Sequence, residues 1–303
     1  MQVRTQSQRR PTLAYMNPIE RKPPRVALIT GASSGIGRAT ARELAKQGWQ
    51  VFIACRSTKR AQPALDEIRA ASGSTTNGLL SLELGDFDSV RRCAEAFLAL
   101  DLPLHLLICN AGLAGVRGFT KSGFELAFGV NHMGHFLLTG LLQERIKSSA
   151  PARIVTVASK AHYRVRGIDW DDVRRPTKTA TGMPEYGVSK LSNVLFSAEL
   201  GRRLAGTGVA TYSLHPGVVA SDIWRPVPWP LRALVKLAMN SPEEGAARTL
   251  YCATSPKAAE ETGLYYEQCR PKEPSKLAQD LALAAELWKR SEIWGFTGIG
   301  SSE

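Results

Sequence analysis

From Arg25 onward, short apolar runs alternate with stretches whose apolar positions recur every three or four residues. The runs Arg25–Thr30, Gln50–Cys55, Leu79–Leu84, Leu104–Cys109, Arg153–Ala158 and Val209–Leu214 are rich in aliphatic side chains. Each is short and nearly unbroken, the pattern of a strand buried on both faces. Helical periodicity fills the gaps, near 38–46 (closed by Gly48), 60–71, 87–100, 121–147 and 184–205. Such alternation predicts an α/β fold, a single domain with a doubly wound parallel sheet and helices on both faces.

Three segments break the rhythm. Residues 1–24 are polar, basic and proline-punctuated, and read as a mobile tail ahead of a folded domain over 25–295. Residues 161–183 are polar and read as a long loop. Residues 217–241 carry Trp224, Trp229, Pro226, Pro228 and Pro230 before the amphipathic stretch Leu231–Met239. A long insertion of that apolar content reads as a lid over a site. Beyond it, Ser241-Pro242-Glu243-Glu244 supplies an N-cap, an N1 proline and an acidic first turn. A last strand is expected over Gly263–Tyr266 and a terminal helix near 274–290. Neither an internal repeat nor a low-complexity segment interrupts this plan.

With 44% hydrophobic and 22% charged residues among 303, the chain can bury a substantial core; collagen, coiled coil and bulk disorder are excluded. The net charge is +12, and residues 1–25 hold six basic residues against one acid. No nucleic-acid recognition motif accompanies this excess, so it reads as a solvated surface with a basic tail. The five cysteines form no CxxC pair, which argues against a disulfide framework or structural zinc site. Cys55 and Cys109 end apolar runs and are expected to be buried, in a reducing compartment. No signal-like segment or membrane-length apolar run occurs; Asp101 and His105 interrupt the best candidate, Leu98–Gly115. A cytoplasmic protein without integral membrane association is expected. His132 with His135, and Asp169 with Asp171, lack a third ligand at suitable spacing, so they read as helix and loop surface and no metal is expected.

The turn after the first strand reads Thr30-Gly31-Ala32-Ser33-Ser34-Gly35-Ile36-Gly37. Glycines between a buried strand and a helix start let the backbone approach a pyrophosphate, whose charge the helix N-terminus favours. A dinucleotide site selecting a free ribose hydroxyl needs a carboxylate at the end of the second strand. Here Arg56 stands there, with Lys59 and Arg60 behind it. A guanidinium suits a 2′-phosphate through paired donors, so NADP(H) is expected over NAD(H).

Tyr186 and Lys190 fall four residues apart at the start of a helix, on one face. A free tyrosine with a pKa of about 10 is a poor acid/base at neutral pH. A nearby ammonium and a nicotinamide positive charge would favour its phenolate.

Together these features resemble the short-chain dehydrogenase/reductase family, over roughly residues 25–270. The motifs are Thr30–Gly37, Cys109-Asn110-Ala111-Gly112, Asn131-His-Met-Gly-His-Phe136, Ser159, Tyr186-xxx-Lys190 and His215-Pro216-Gly217-Val218-Val219. Their wording is similar to the retinol dehydrogenase-like branch, with a Rossmann-type fold. The resemblance implies cofactor contacts from Gly31, Ser33, Ser34, Gly35, Ile36, Gly37, Arg56, Glu83, Leu84, Asn110, Ala111, Gly112, Tyr186, Lys190, Pro216, Gly217, Val218 and Val219. It implies that Ser159 bonds the substrate oxygen and that Tyr186 exchanges its proton. Lys190 would hold the nicotinamide ribose and depress the Tyr186 pKa, and Asn131 would bind a water leading from Lys190 to solvent. Glu83 stands where the family usually has Asp, and Ala158 replaces a serine. Membrane-bound members of the branch carry an apolar N-terminal anchor, where this chain has basic polar residues.

The expected activity is hydride transfer from NADPH to an apolar aldehyde or ketone, or the reverse from an alcohol, beneath the 217–241 lid. A non-catalytic nucleotide-binding scaffold of the same fold is the competing class, but it has no need of Asn131, Ser159, Tyr186 and Lys190 together. The resemblance also implies pairing through the helices near 121–147 and 184–205, as a homodimer or homotetramer.

Overall fold

In the computed structural model, which describes residues 24–217 and 241–297, the first apolar run is strand β1 (Val26–Thr30), buried at all five positions. Helix α1 (Gly35–Lys46), β2 (Gln50–Cys55), α2 (Thr58–Ser72), β3 (Gly78–Ser81), α3 (Phe87–Leu98) and β4 (Leu106–Cys109) follow. A short helix α4 (Leu126–Phe128) passes through a π-turn, Gly129–Met133, into α5 (Gly134–Ser148). Then come β5 (Ala152–Val157), α6 (Met183–Arg203), β6 (Val209–His215), α7 (Pro242–Thr254), β7 (Leu264–Glu267), β8 (Arg270–Pro271) and α8 (Leu281–Glu292).

The strands form one sheet in the order β3-β2-β1-β4-β5-β6-β7-β8, and only the β7–β8 pairing is antiparallel. The chain winds outward from β1 to β3 and then returns to lay β4 against the other edge of β1. Connections therefore diverge above the carboxyl ends of β1 and β4, opening the crevice where doubly wound sheets bind ligands.

Alternate residues of β1 serve opposite faces, as strand geometry requires. Val26 and Leu28 pack with Val90 and Phe97 of α3, Leu138 and Leu142 of α5, and Phe196 of α6. Ala27 and Ile29 pack with Leu44 of α1, Leu65 and Ile68 of α2, and Cys252 of α7. On the outer side of α6, Trp288 of α8 stacks on Phe196 with ring centroids 5.9 Å apart, and Phe296 lies against Gly140 of α5.

Several elements depart from the sequence pattern. The helix expected over 121–147 begins only at Leu126, because Gly123 (φ +79°) turns the chain and Thr120 Oγ1 accepts the Phe124 N–H at 3.0 Å. Glu125 then caps α4 by accepting the Phe128 N–H at 2.8 Å. The terminal helix expected near 274–290 is broken at Asp280, whose carboxylate caps α8 through the Leu283 N–H. Strand β3 stops at Ser81, although Leu82 and Leu84 stay buried beyond it. The small strand β8 escaped the pattern altogether, being two exposed residues after a turn at Gln268 and Cys269.

All five cysteines are free, and Cys55 and Cys109 are buried as their positions suggested. Among the described residues no helix is long and apolar enough to cross a membrane. The tail expected over 1–24 and the lid expected over 217–241 lie outside the described residues, apart from Pro24, Gly217 and Ser241.

Candidate active site

The glycine-rich turn sits at the crevice because it lies directly on the end of β4. At Gly31 (φ +69°) a Cβ would come 2.7 Å from the Ala111 Cα; at Gly37 it would come 2.4 Å from Asn110 Nδ2. Neither position has room for a side chain, and the backbone takes the space. Ser34 caps α1 without a side-chain hydrogen bond, and no acidic residue occupies the helix's first turn. The N–H groups at Gly35, Ile36 and Gly37 thus open an electropositive helix end suited to a pyrophosphate. The cradle fits a dinucleotide.

Asn110 fastens the turn from below: its Nδ2 donates to Thr30 O at 2.8 Å and to Gly31 O at 3.3 Å. At the end of β2, Arg56 is exposed, with Nε 3.9 Å from Glu83 Oε2. Lys59 and Arg60 are exposed in the first turn of α2, which Ser57 caps. Glu83 is held in place by its neighbours, its Oε1 accepting the Gly85 N–H at 3.1 Å and its own N–H donating to Ser89 Oγ at 2.9 Å. Leu84 is buried, and its carbonyl lies so close to Gly134 that a Cβ there would be 2.4 Å away.

Ser159, Tyr186 and Lys190 converge at the carboxyl end of β5. Ser159 is half-buried and extended, its Oγ accepts the Ala161 N–H at 3.2 Å, and its hydroxyl acts on the Tyr186 phenol. Tyr186 and Lys190 lie one turn apart on α6, the ammonium nitrogen 5.7 Å from the centre of the phenol ring. Lys190 is buried, donates to Val157 O at 2.7 Å, and has its pKa pushed down to about 7 by burial. Burial moves the Tyr186 phenol up, against the bond with Ser159, which favours the phenolate. The depression expected from the sequence invoked a nicotinamide charge beside Lys190; without that charge, loss of water sets the direction.

Asn131 falls in the π-turn and not in regular helix, a departure common at functional positions. Its amide is fully engaged: Oδ1 accepts the Leu113 N–H at 2.9 Å, and Nδ2 donates to Leu113 O at 3.0 Å and Ser189 Oγ at 2.9 Å. Gly112 runs between the two side chains, where a Cβ would come 3.2 Å from Asn131 Oδ1 and 3.5 Å from Lys190 Nζ. Pro216 is buried just beyond β6 and Gly217 follows; Val218 and Val219 lie outside the described residues.

The site also uses residues that carried no signal of their own. Leu113 and Val157 bind through backbone groups that every loop or strand possesses, and Ser189 through a hydroxyl that nothing in its position marked out. The two histidines correct the sequence reading: His132 and His135 are core side chains, each about 1% exposed, and not helix surface. His132 meets Ser291 Oγ at 3.1 Å, and His135 meets Thr30 Oγ1 at 2.8 Å.

A doubly wound sheet, a glycine cradle at its switch point and a Ser–Tyr–Lys cluster beside it define a nucleotide-dependent oxidoreductase fold. The short chain dehydrogenase family model matches residues 25–170. Mouse (Mus musculus) retinol dehydrogenase 12 is 43% identical over 89% of this chain and 85% of its own. A crystal structure of an uncharacterised protein from Mycobacterium paratuberculosis is 32% identical, with a TM-score of 0.70 over 91% of this chain and 95% of that one. Actinorhodin polyketide ketoreductase, solved as a variant with NADPH, is 27% identical, with a TM-score of 0.62 over 81% of this chain and 96% of that one. The chain belongs to the short-chain dehydrogenase/reductase family and is similar to its retinol dehydrogenase-like branch.

Proposed function

We propose that the protein reduces apolar aldehydes or ketones with NADPH. The observation that carries this reading is the cluster of Ser159, Tyr186 and Lys190 on the crevice beside the glycine cradle. The cofactor, when bound, supplies the hydride for the carbonyl carbon. Ser159 holds the carbonyl oxygen, and Tyr186 donates its proton to that oxygen as negative charge develops there. Lys190 would hold the nicotinamide ribose, and its ammonium would return a proton to the Tyr186 phenolate and take one up from solvent. Asn131, clamped through Leu113 and Ser189, fixes the turn that carries Gly112 past both groups.

Preference for NADPH is supported by Arg56, Lys59 and Arg60 at the end of β2 and by NADPH in the related ketoreductase. An apolar substrate is supported by exposed apolar side chains at the start of α6, the helix that carries Tyr186. There Val116 and Met183 are 39% and 38% exposed, and Gly115 packs under the Met183 sulfur. The name of the relative retinol dehydrogenase 12 points to the same chemistry, an apolar alcohol. The test is a panel of aldehydes and ketones graded by hydrophobic size, followed through nicotinamide absorbance with NADPH and with NADH. Long apolar carbonyls with NADPH should give the highest kcat/KM. Equal rates with small polar carbonyls would remove the substrate assignment, and no turnover across the panel would remove the activity.

A further inference from the structure

We propose that His135 is a positioning residue that ties the Asn131 peptide to the end of β1 and to the Asn110–Ala111 turn. The inference adds a component to the activity proposed above and rests on that reading only for its effect on rate.

The bonds around His135 have only one consistent set of directions. Thr30 Oγ1 accepts the N–H of Asn110 and the N–H of Ala111, each at 3.0 Å. A hydroxyl has two lone pairs and one proton, so its own proton remains to be donated. His135 Nε2 lies 2.8 Å from Thr30 Oγ1, whereas the alternative acceptor, Ile108 O, is at 3.4 Å. The hydroxyl therefore donates to Nε2. A neutral imidazole with Nε2 accepting carries its proton on Nδ1, and Nδ1 lies 2.9 Å from Asn131 O. Burial and the nearby Lys190 hold His135 neutral, its pKa lowered to about 4. The bonds run without a break from two backbone amides, through Thr30 and His135, to the carbonyl of Asn131.

These bonds join the paired ends of β1 and β4 to the π-turn before α5, which belongs to neither strand. No other side chain among the described residues bridges Thr30 and Asn131. The π-turn switches the backbone from i→i+4 to i→i+5 bonding, so the His135 donor adds a tie to Asn131 O where the helical register changes. Gly112, one residue beyond Ala111, is the segment that passes between Asn131 Oδ1 and Lys190 Nζ. Small displacements there alter the geometry of Lys190 with its neighbours, and misplacement by about 1 Å can cost on the order of 100-fold in rate.

The first arm of the test needs no activity. Nitrogen-15 NMR of the imidazole in the full chain should show Nδ1 protonated, Nε2 as a hydrogen-bonded acceptor, and no titration between pH 5 and 8. The Nε2–H tautomer, or titration near the ordinary histidine pKa, would overturn the proposal even if the protein proved not to be a reductase. The second arm is a pair of substitutions with a conservative control. Thr30→Val and His135→Phe should each lower kcat roughly 10- to 100-fold with a smaller change in KM, and the double variant should fall no further than the worse single one. Thr30→Ser keeps the hydroxyl and should restore wild-type kcat. Additive losses, or a Thr30→Ser variant as slow as Thr30→Val, would show independent packing defects and overturn the relay. Turnover lost in wild type while the NMR result stands would count against the reductase reading alone.

Discussion

Replacing Arg56 by aspartate should move cofactor preference from NADPH towards NADH and leave the fold intact. The Arg56 side chain is 68% exposed, and its ion-pair partner, Glu83, is 3.9 Å away and 43% exposed. An exposed pair at that distance contributes about 0.2–1 kcal/mol, so its loss does not threaten folding. A guanidinium held against a 2′-phosphate is different. Charge-assisted hydrogen bonds contribute about 1.5–3 kcal/mol, or about 10- to 150-fold in affinity. Arg56→Asp removes that partner and sets a second carboxylate beside Glu83, so repulsion adds to the loss. Fluorescence titrations with each cofactor, run beside thermal melts, separate the two effects. The expected result is an NADPH Kd raised at least about tenfold, an NADH Kd unchanged or lower, and a melting temperature near wild type. Glu83→Gln should act in the opposite direction, freeing Arg56 and tightening NADPH. An unchanged NADPH/NADH ratio in Arg56→Asp would show that Arg56 is only a solvated surface charge.

Other outcomes follow from close contacts and buried charge. Gly37→Ala would set a methyl 2.4 Å from Asn110 Nδ2 and 2.8 Å from Gly31 O. Overpacking of this kind costs about 1–3 kcal/mol, so both melting temperature and NADPH affinity should fall, and wild-type affinity would refute the cradle. Lys190, held near 7 when folded, binds its proton less well than in the unfolded chain, where its pKa is about 10.4. Its destabilising contribution is complete below pH 7 and fades as the pH rises towards 10. Denaturant unfolding of wild type and Lys190→Met should therefore show wild type gaining stability relative to the variant over that range, and parallel curves would contradict the burial argument. Trp288→Ala removes a ring that stacks on Phe196 and meets Phe136 edge-on. Loss of a buried aromatic costs about 3–5 kcal/mol; chemical denaturation showing less than 1 kcal/mol would mean that α8 does not hold the outer face of α6.

Strands were legible because parallel strands buried on both faces need runs such as Val26–Ile29, whose apolarity does not depend on neighbours. Helix ends were less legible where tertiary bonds decided them. Nothing in the 121–147 periodicity announces that Thr120 and Gly123 will turn the chain before Leu126, since the competing partner is the local backbone. Within the site, the glycines, Arg56 and the Tyr186–Lys190 spacing were visible in the residues themselves, whereas Ser159 and Asn131 came only with the family resemblance. His135 did not. Its i+4 spacing from Asn131 was visible, but whether a histidine on a helix faces water or core depends on what packs there, here the end of β1 at Thr30. The direction of the Tyr186 pKa was also beyond spacing, because it depends on how much water the fold removes.

The central claim is that Tyr186 supplies the proton while other groups bind the cofactor. Its most direct test is one pair of measurements on Tyr186→Phe: the NADPH dissociation constant by fluorescence, and the single-turnover rate of NADPH oxidation with an apolar aldehyde. The account predicts an NADPH Kd within a few-fold of wild type and a turnover rate reduced by at least about 100-fold, the usual contribution of a positioned general acid. A variant that binds NADPH normally and still turns over at the wild-type rate would contradict it.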